Sequence, residues 1–194
     1  MILCDHEIKK ALNDKKIFIE PLPSIEQYTS SAVDLILGSE VLVPKSAAEL
    51  HGGKVNGVET PIIIVPAKVD INNYLKKYWK ELPKESDGSV IAIPGQLILA
   101  MTREYINLPK KSKIAARVEG RSTLARLGLA VHLTAPIIHC GFSGTIALEM
   151  CNFGKYPLRL EPNKLNICQL VLERVGRTPK GPVRTRFLGQ TGLR

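Results

Sequence analysis

The sequence lacks an apolar run long enough to span a membrane, and its first residues, 1–6, are not typical of a secretory signal. We therefore expect a cytoplasmic protein that does not associate with membranes. Internal repeats and low-complexity tracts are also missing. The 194 residues fit one domain with a sizeable core.

Paired cysteines, aromatic residues and acidic residues are scarce as well. No Cys-x-x-Cys motif occurs, so we expect reduced thiols at the four cysteines, Cys4, Cys140, Cys151 and Cys168. Aromatic residues make up 5% of the chain, too few for a surface that stacks single-stranded nucleic acid. With 27 Lys and Arg against 18 Asp and Glu, the formal net charge is +9. Such a surface attracts anions: nucleotides, nucleic acids or acidic membranes.

The chain does have a rhythm of short apolar stretches separated by Gly and Pro turns. We predict strands over 31–38, 90–93, 97–102, 145–150 and 167–173. Many short strands and little helix indicate a β barrel or jelly roll rather than a parallel α/β sheet. In the first of these strands Asp34 lies beside an inward apolar pattern, and we interpret it as tying down a neighbouring loop.

Residues 45–87 are the hardest to assign. The apolar run 62–65 predicts a strand. Tyr74, Tyr78 and Trp79 have the spacing of a helical stripe, for which packing is favoured over ligand binding. We interpret 45–87 as a divergent, insertion-like segment or a partner surface.

A turn at 120–123 supplies one guanidinium and two hydroxyls. Ser122 is predicted to cap a short helix that contains Arg126 and ends at Gly128. The backbone N–H groups at this helix start, together with Arg121, predict an anion site.

The strand predicted over 145–150 has two unlike faces. A period of two places three bulky residues in the core, Ile146, Leu148 and Met150. The other face carries Thr145 and Ala147 around Glu149, which leaves room above the carboxylate for something other than protein. An exposed strand face with a solvated glutamate is the alternative.

These blocks closely resemble the dCTP deaminases of the dUTPase-like superfamily. The resemblance rests on the order and spacing of Gly120-Arg121-Ser122-Thr123-Leu124-Ala125-Arg126-Leu127-Gly128-Leu129, His132-Leu133-Thr134-Ala135, Gly141-Phe142-Ser143-Gly144 and Leu148-Glu149. Weaker matches extend it over most of the chain, at 32–38, 94–96, 167–170 and 186–192.

The resemblance implies a mainly β subunit, a distorted jelly roll or β-barrel of the dUTPase-like type with a few short helices. It further implies a homotrimer with active sites between subunits. The β domain would cover 1–175, and the basic tail 176–194 would close over the nucleotide. From its composition alone, this tail would be a disordered basic end.

The implied activity is zinc-independent hydrolytic deamination of dCTP to dUTP and ammonia, within pyrimidine deoxynucleotide biosynthesis. The His-x-Glu and Pro-Cys-x-x-Cys motifs of zinc deaminases are both missing from the sequence. By resemblance, Glu149 is the general base and acid, Ser122 holds the water, and Arg126 orients the carboxylate.

The resemblance also implies the nucleotide contacts. Arg121, Thr123 and Arg186 would contact the phosphates, with Mg²⁺ bridging phosphate oxygens rather than sitting in a protein cage. The Ala135 carbonyl would contact the water or the base, and Gln190 would bind the pyrimidine.

Two histidines raise separate questions. His132 and Thr134 keep the His-x-Thr-Ala pattern associated with feedback binding of dTTP, although a core histidine is the alternative for His132. His139 stands where relatives commonly carry an aspartate that helps to bind the sugar and activates water for phosphate hydrolysis. An imidazole can still hydrogen-bond the 3′-hydroxyl but fits the base role less well.

We therefore favour dUTP as the product over the dUMP of a bifunctional deaminase–dUTPase or a dUTPase. A non-catalytic nucleotide sensor or a nucleic-acid-binding module is the alternative of another class. Salt-sensitive DNA binding without turnover would support it. The intact set of Ser122, Arg126 and Glu149 favours the enzyme, and we do not expect nucleic acid to be the partner.

Overall fold

A computed structural model describes residues 1–46, 49–50, 54–55, 58–59, 63–182 and 189–193. The described helices are α1 (Asp5–Asn13), α2 (Ile71–Tyr78) and α3 (Ser122–Arg126), with 3-10 turns at Ile25–Gln27, Pro66–Lys68 and Lys110–Ser112. The described strands are β1 (Phe18–Glu20), β2 (Val33–Pro44), β3 (Lys54–Val55), β4 (Val58–Glu59), β5 (Trp79–Glu81), β6 (Val90–Ala92), β7 (Leu97–Asn107), β8 (Ile114–Gly120), β9 (Leu129–Ala130), β10 (Ile137–Ile138), β11 (Ser143–Asn152), β12 (Leu158–Leu160) and β13 (Asn166–Arg174).

One branched antiparallel sheet organises these strands. Its order is β10-β8-β13-β2-β7-β11-β9, with β1 joined to β7 and β5 joined to β2. Two further pairs, β12 with β6 and β3 with β4, lie apart from it in the part of the chain that the structure describes. The sheet curls into a half-barrel, which confirms the predicted mainly β architecture.

The two faces of the central strands pack against different things. On β11, Ile146, Leu148 and Met150 are buried in the main core, as the period of two predicts. Leu42 of β2 and Met101 of β7 point the other way. There they form a second apolar cluster with Leu75 of α2, Trp79 of β5 and Leu193 of the tail. Helix α2, strand β5 and the end of the tail therefore cover the face that also carries Glu149.

Several sequence predictions need correction. Residues 63–65 lie in no strand and Ile63 is 81% exposed, because an apolar run forms a strand only where a neighbouring strand pairs with it; residue 62 is outside the described part. The sequence predicts separate strands over 97–102 and 105–108, but one strand, β7, runs from Leu97 to Asn107, since β1 and β11 both pair with its second half. Trp79 begins β5 rather than continuing the helical stripe.

The start of α3 and the tail also differ from expectation. The N-cap position is Arg121, whose backbone is extended, and Ser122 is the first helical residue without a capping bond. The described tail residues 189–193 are packed on the body, with Leu193 buried. Burial against the second cluster explains why composition alone misjudged them. None of the described helices has the length and apolar character needed to cross a bilayer.

Candidate active site

A cavity of about 390 Å³ lies between β11 and the segment formed by α2 and β5. Its apolar lining includes Ile71 and Leu75 of α2 and Leu99 of β7. Its polar lining residues are Tyr74, Trp79, His132, His139, Thr145, Glu149 and Gln190. The space that the sequence predicted above Glu149 is thus present, and it is enclosed by a segment that the sequence left unassigned.

Glu149 lies on β11 opposite Leu99 of β7 and is half-buried. Burial raises the pKa of its carboxyl group above the usual value, because the charged form loses hydration. Its own backbone N–H and a positive charge on His132 lower the pKa by less. A carboxyl group in this environment exchanges protons nearer neutral pH than a solvated glutamate does.

His132 lines the same cavity as Glu149 and acts on its carboxyl group through charge, and it follows the short pairing between β9 and β11. Ala130, the last residue of β9, pairs with Cys151, and His132 follows two residues later in the chain. The side chain of His132 is only partly buried, and its Nδ1 is shielded from solvent and has no hydrogen-bond partner among the described residues. A satisfied core histidine therefore does not describe it.

Unpartnered polar atoms concentrate around the cavity. Among the described residues, five buried side-chain polar atoms have no hydrogen-bond partner, and three belong to residues that line this cavity: Trp79 Nε1, His132 Nδ1 and Gln190 Oε1. Buried donors and acceptors are normally paired, since leaving one unpaired costs about 1–3 kcal/mol. Trp79 Nε1 can donate a hydrogen bond to a bound ligand, and Gln190 Oε1 can accept one.

Of the predicted site residues, the cavity brings together Glu149, Ala135, His132, His139 and Gln190. The predicted residues of α3 are elsewhere. Side chains of Ser122, Thr123 and Arg126 are exposed and do not line the cavity of their own chain. Thr134 is exposed outside the lining, and Arg186 lies outside the described residues.

The helix α3 is held against the end of β11 by two facing glycines. A Cβ added to Gly128 would lie 2.4 Å from the Gly154 backbone nitrogen, and one added to Gly154 would lie 2.5 Å from the Leu127 carbonyl oxygen. Gly128 also has a φ of +95°, which suits the helix end predicted there. This contact fixes α3 at the surface, with Arg126 turned to solvent.

Arg121 is held by a buried acid. One Asp34 oxygen lies 3.2 Å from the Arg121 guanidinium, and the other accepts a 2.9 Å hydrogen bond from Gln169 Nε2. Arg121 also donates to the Asn166 carbonyl oxygen at 3.2 Å. The interpretation of Asp34 as an anchor for a neighbouring loop agrees with these contacts, and the loop is the one that begins α3.

The sequence did not identify the cavity wall from α2 and β5. Tyr74 and Trp79 were assigned to packing, and they do pack, with the Tyr74 and Tyr78 rings 5.1 Å apart and Trp79 in the second cluster. Their place in the cavity depends on β5 pairing with β2, a long-range contact. The only hint of this role in the sequence is that Tyr74 and Trp79 are large aromatic residues in an otherwise basic segment.

The raised pKa of Glu149 predicts how stability depends on pH. Between the ordinary pKa of a glutamate and the raised one, the folded chain keeps a proton that the unfolded chain releases. The free energy of unfolding should therefore fall as pH rises through that interval. We expect Glu149→Gln to unfold at a higher temperature than the wild type at neutral pH, and the gap to shrink below the ordinary glutamate pKa. Thermal unfolding of both proteins across pH checks this; a gap that widens on acidification would contradict it.

The fold is mainly β, and its cavity has one carboxylate among the described lining residues. A model of the dCTP deaminase-like family matches residues 2–175. A protein named dCTP deaminase, dUMP-forming, from Methanosphaera stadtmanae is 36% identical over 198 residues, which cover 98% of this chain and 90% of that protein. One named dCTP deaminase from Shewanella baltica is 37% identical over 187 residues, covering 96% and 90%. The chain belongs to the dCTP deaminase-like family.

A solved structure agrees on the fold. The structure of 2′-deoxycytidine 5′-triphosphate deaminase from Agrobacterium tumefaciens matches with a TM-score of 0.61 and 16% identity. The match covers 90% of this chain and 48% of that one, so this chain corresponds to about half of it. At this identity the likeness concerns the fold alone. The resemblance inferred from the sequence is confirmed at the level of the family.

Proposed function

We propose that this protein is a dCTP deaminase that works without zinc and converts dCTP and water to dUTP and ammonia. The observation that carries the proposal is the half-buried Glu149, with its raised pKa, in a cavity of a dCTP deaminase-like chain. The names of the relatives from Methanosphaera and Shewanella support dCTP as the substrate.

The proposed reaction begins with water adding to C4 of the cytosine ring. Glu149 takes a proton from that water and delivers it to N3, giving a tetrahedral centre at C4. A second proton passes from the new hydroxyl to the amino group, and ammonia leaves as the C4 carbonyl forms. A group that both accepts and returns protons works best with a pKa near the working pH, and burial moves Glu149 in that direction.

The remaining catalytic residues would come from a neighbouring chain of a homotrimer. Ser122 would hold the water and Arg126 would orient the Glu149 carboxylate. Support for this arrangement comes from the exposure of both side chains and their position outside their own chain's cavity. Ala135 lines that cavity, where its carbonyl would contact the water or the base.

The nucleotide would be bound as its Mg²⁺ complex. Mg²⁺ then enters as part of the substrate, which suits a cavity with Glu149 as the one carboxylate among its described lining residues. Arg121, Thr123 and Arg186 are the proposed phosphate contacts. His139 would bind the deoxyribose 3′-hydroxyl and Gln190 the pyrimidine.

Two further possibilities concern the product and a feedback inhibitor. The Methanosphaera relative is named as dUMP-forming, which favours a second step that hydrolyses dUTP. We propose dUTP as the product here, because an imidazole at position 139 fits poorly as the base for that step. His132 and Thr134 remain the proposed contacts for dTTP as a feedback inhibitor, and His132 lines the same cavity as Glu149.

Products separated after incubation with dCTP and Mg²⁺ test the proposal. We expect dUTP and ammonia in equal amounts, and the same rate after zinc is removed with a chelator and Mg²⁺ is restored. dUMP with pyrophosphate would establish the bifunctional alternative. Binding of dCTP without turnover would place the protein among nucleotide sensors, and loss of the rate with zinc removal would refute zinc independence.

A further inference from the structure

The end of the tail is fastened to the body beside the cavity. The Gly189 N–H donates to the Ser143 carbonyl oxygen at 2.6 Å. The Gln190 carbonyl oxygen accepts from the Thr145 N–H at 2.9 Å and from the Thr145 hydroxyl at 3.1 Å. Gly144 permits this approach, since an added Cβ would lie 3.0 Å from the Gln190 carbonyl oxygen. The tail thus follows the edge of β11 at Ser143 and Thr145, and Gln190 lines the same cavity as Glu149.

Leu193, near the end of this segment, is buried in the second apolar cluster. It is 2% exposed and belongs to the second cluster with Leu75, Trp79 and Met101. Its N–H donates to Glu40 Oε2 at 2.9 Å. Glu40 lies where the pairing of β2 with β7 shifts register, a kind of irregularity that redirects a side chain.

The positions of Leu193 and Gln190 are linked through a short, constrained segment. Gln190 Nε2 donates to the Gly192 carbonyl oxygen at 2.6 Å, and an added Cβ on Gly192 would lie 3.3 Å from Glu40 Oε2. Gln190 lines the cavity, and its Oε1 is buried with no partner in the part of the chain that the structure describes. Fixing Leu193 therefore restricts where the Gln190 amide can lie.

We propose that Leu193 is a positioning residue: its burial against α2 and β5, with the Glu40 contact, holds Gln190 in the cavity that Glu149 also lines. The segment 71–81 is then the docking platform of the tail as well as a wall of the cavity. The kinetic consequence rests on the proposed function, because it assigns Gln190 to the pyrimidine. The docking of the tail does not.

The chain contains a single tryptophan, Trp79, and it lies in the cluster that receives Leu193. Its fluorescence therefore reports docking without any nucleotide. We expect Leu193→Ala to shift Trp79 emission to longer wavelength and to increase its quenching by acrylamide, while Leu193→Met stays near the wild type. With dCTP, kcat/KM of Leu193→Ala should fall roughly tenfold or more, because truncating a buried leucine strongly favours the undocked tail.

A double-mutant cycle separates positioning from packing. Gln190→Ala should lower kcat/KM while Trp79 emission stays as in the wild type. Adding Leu193→Ala to it should cost little more, since both changes remove the same contact. Additive losses would overturn the claim that Leu193 acts through Gln190.

Variants at Leu22 and Glu40 serve as controls for Leu193→Ala. Leu22→Ala, at a leucine 71% exposed and remote from the cavity, should change neither signal. Glu40→Gln keeps an acceptor oxygen and should retain docking, whereas Glu40→Ala should resemble Leu193→Ala. Unchanged emission in folded Leu193→Ala overturns the docking, and changed emission with unchanged kcat/KM overturns the positioning role. If the wild type does not turn over dCTP, the proposed function fails, and the emission of Leu193→Ala still decides whether the tail docks.

Discussion

Replacing Glu149 with glutamine is expected to reduce deamination of dCTP by about 10²–10⁴-fold, the contribution typical of one acid–base group. Glutamine preserves the size of the side chain but cannot take the proton of the attacking water or return it to the ring. Nucleotide binding should survive, because the cavity and the docked tail do not depend on the carboxylate charge. Turnover by product separation and dCTP affinity by calorimetry measure the two effects independently.

Glu85→Gln is the matched control for this change. Glu85 is exposed, and its carboxylate forms no ion pair or hydrogen bond within the described residues. Turnover in that variant should equal the wild type. Near wild-type turnover in Glu149→Gln would refute the base assignment, while loss of dCTP binding would mean that Glu149 holds the substrate rather than transferring protons.

The sequence pattern predicted those features of the fold that depend only on neighbouring residues in the chain. The alternation on β11 was sufficient to place Ile146 in the core and Glu149 in an open space, because a strand has a strict period of two. Gly128 ended the helix as predicted, since its φ is positive. The same logic failed at residues 63–65, where β-branched side chains favoured a strand but none of the described strands pairs with them.

The rest of the site depends on contacts between distant residues. Trp79 reaches the cavity because β5 pairs with β2, and Leu193 becomes buried because α2 offers an apolar surface. Neither fact has a local signature, and a basic Gly- and Pro-rich tail looks disordered when it is considered alone. The partner of Asp34 was predicted only as a loop; that it is Arg121 follows from β2 and β13 lying side by side, with β8 next to them.

Mixing two inactive variants is expected to restore about one quarter of the wild-type activity, provided that each active site takes Glu149 from one chain and α3 from the next. Glu149→Gln and Arg126→Gln should each be nearly inactive as pure proteins. In trimers assembled at random from equal amounts, half of the positions supply an intact Glu149 and half of the neighbours supply an intact Arg126. The structure motivates this test, since Arg126 is exposed and outside its own chain's cavity.

A second mixture gives this experiment its control. Ser122→Ala and Arg126→Gln both alter α3, so no chain in their mixture carries an intact pair, and no activity should return. Recovery in the first mixture alone would establish sites shared between chains. Absence of recovery in co-expressed, verified mixed trimers would mean that one chain forms its own site, in which case α3 must move toward Glu149 on binding nucleotide. Substantial activity in pure Arg126→Gln would instead remove Arg126 from the mechanism, because a carboxylate that needs orienting should not function without the residue that orients it.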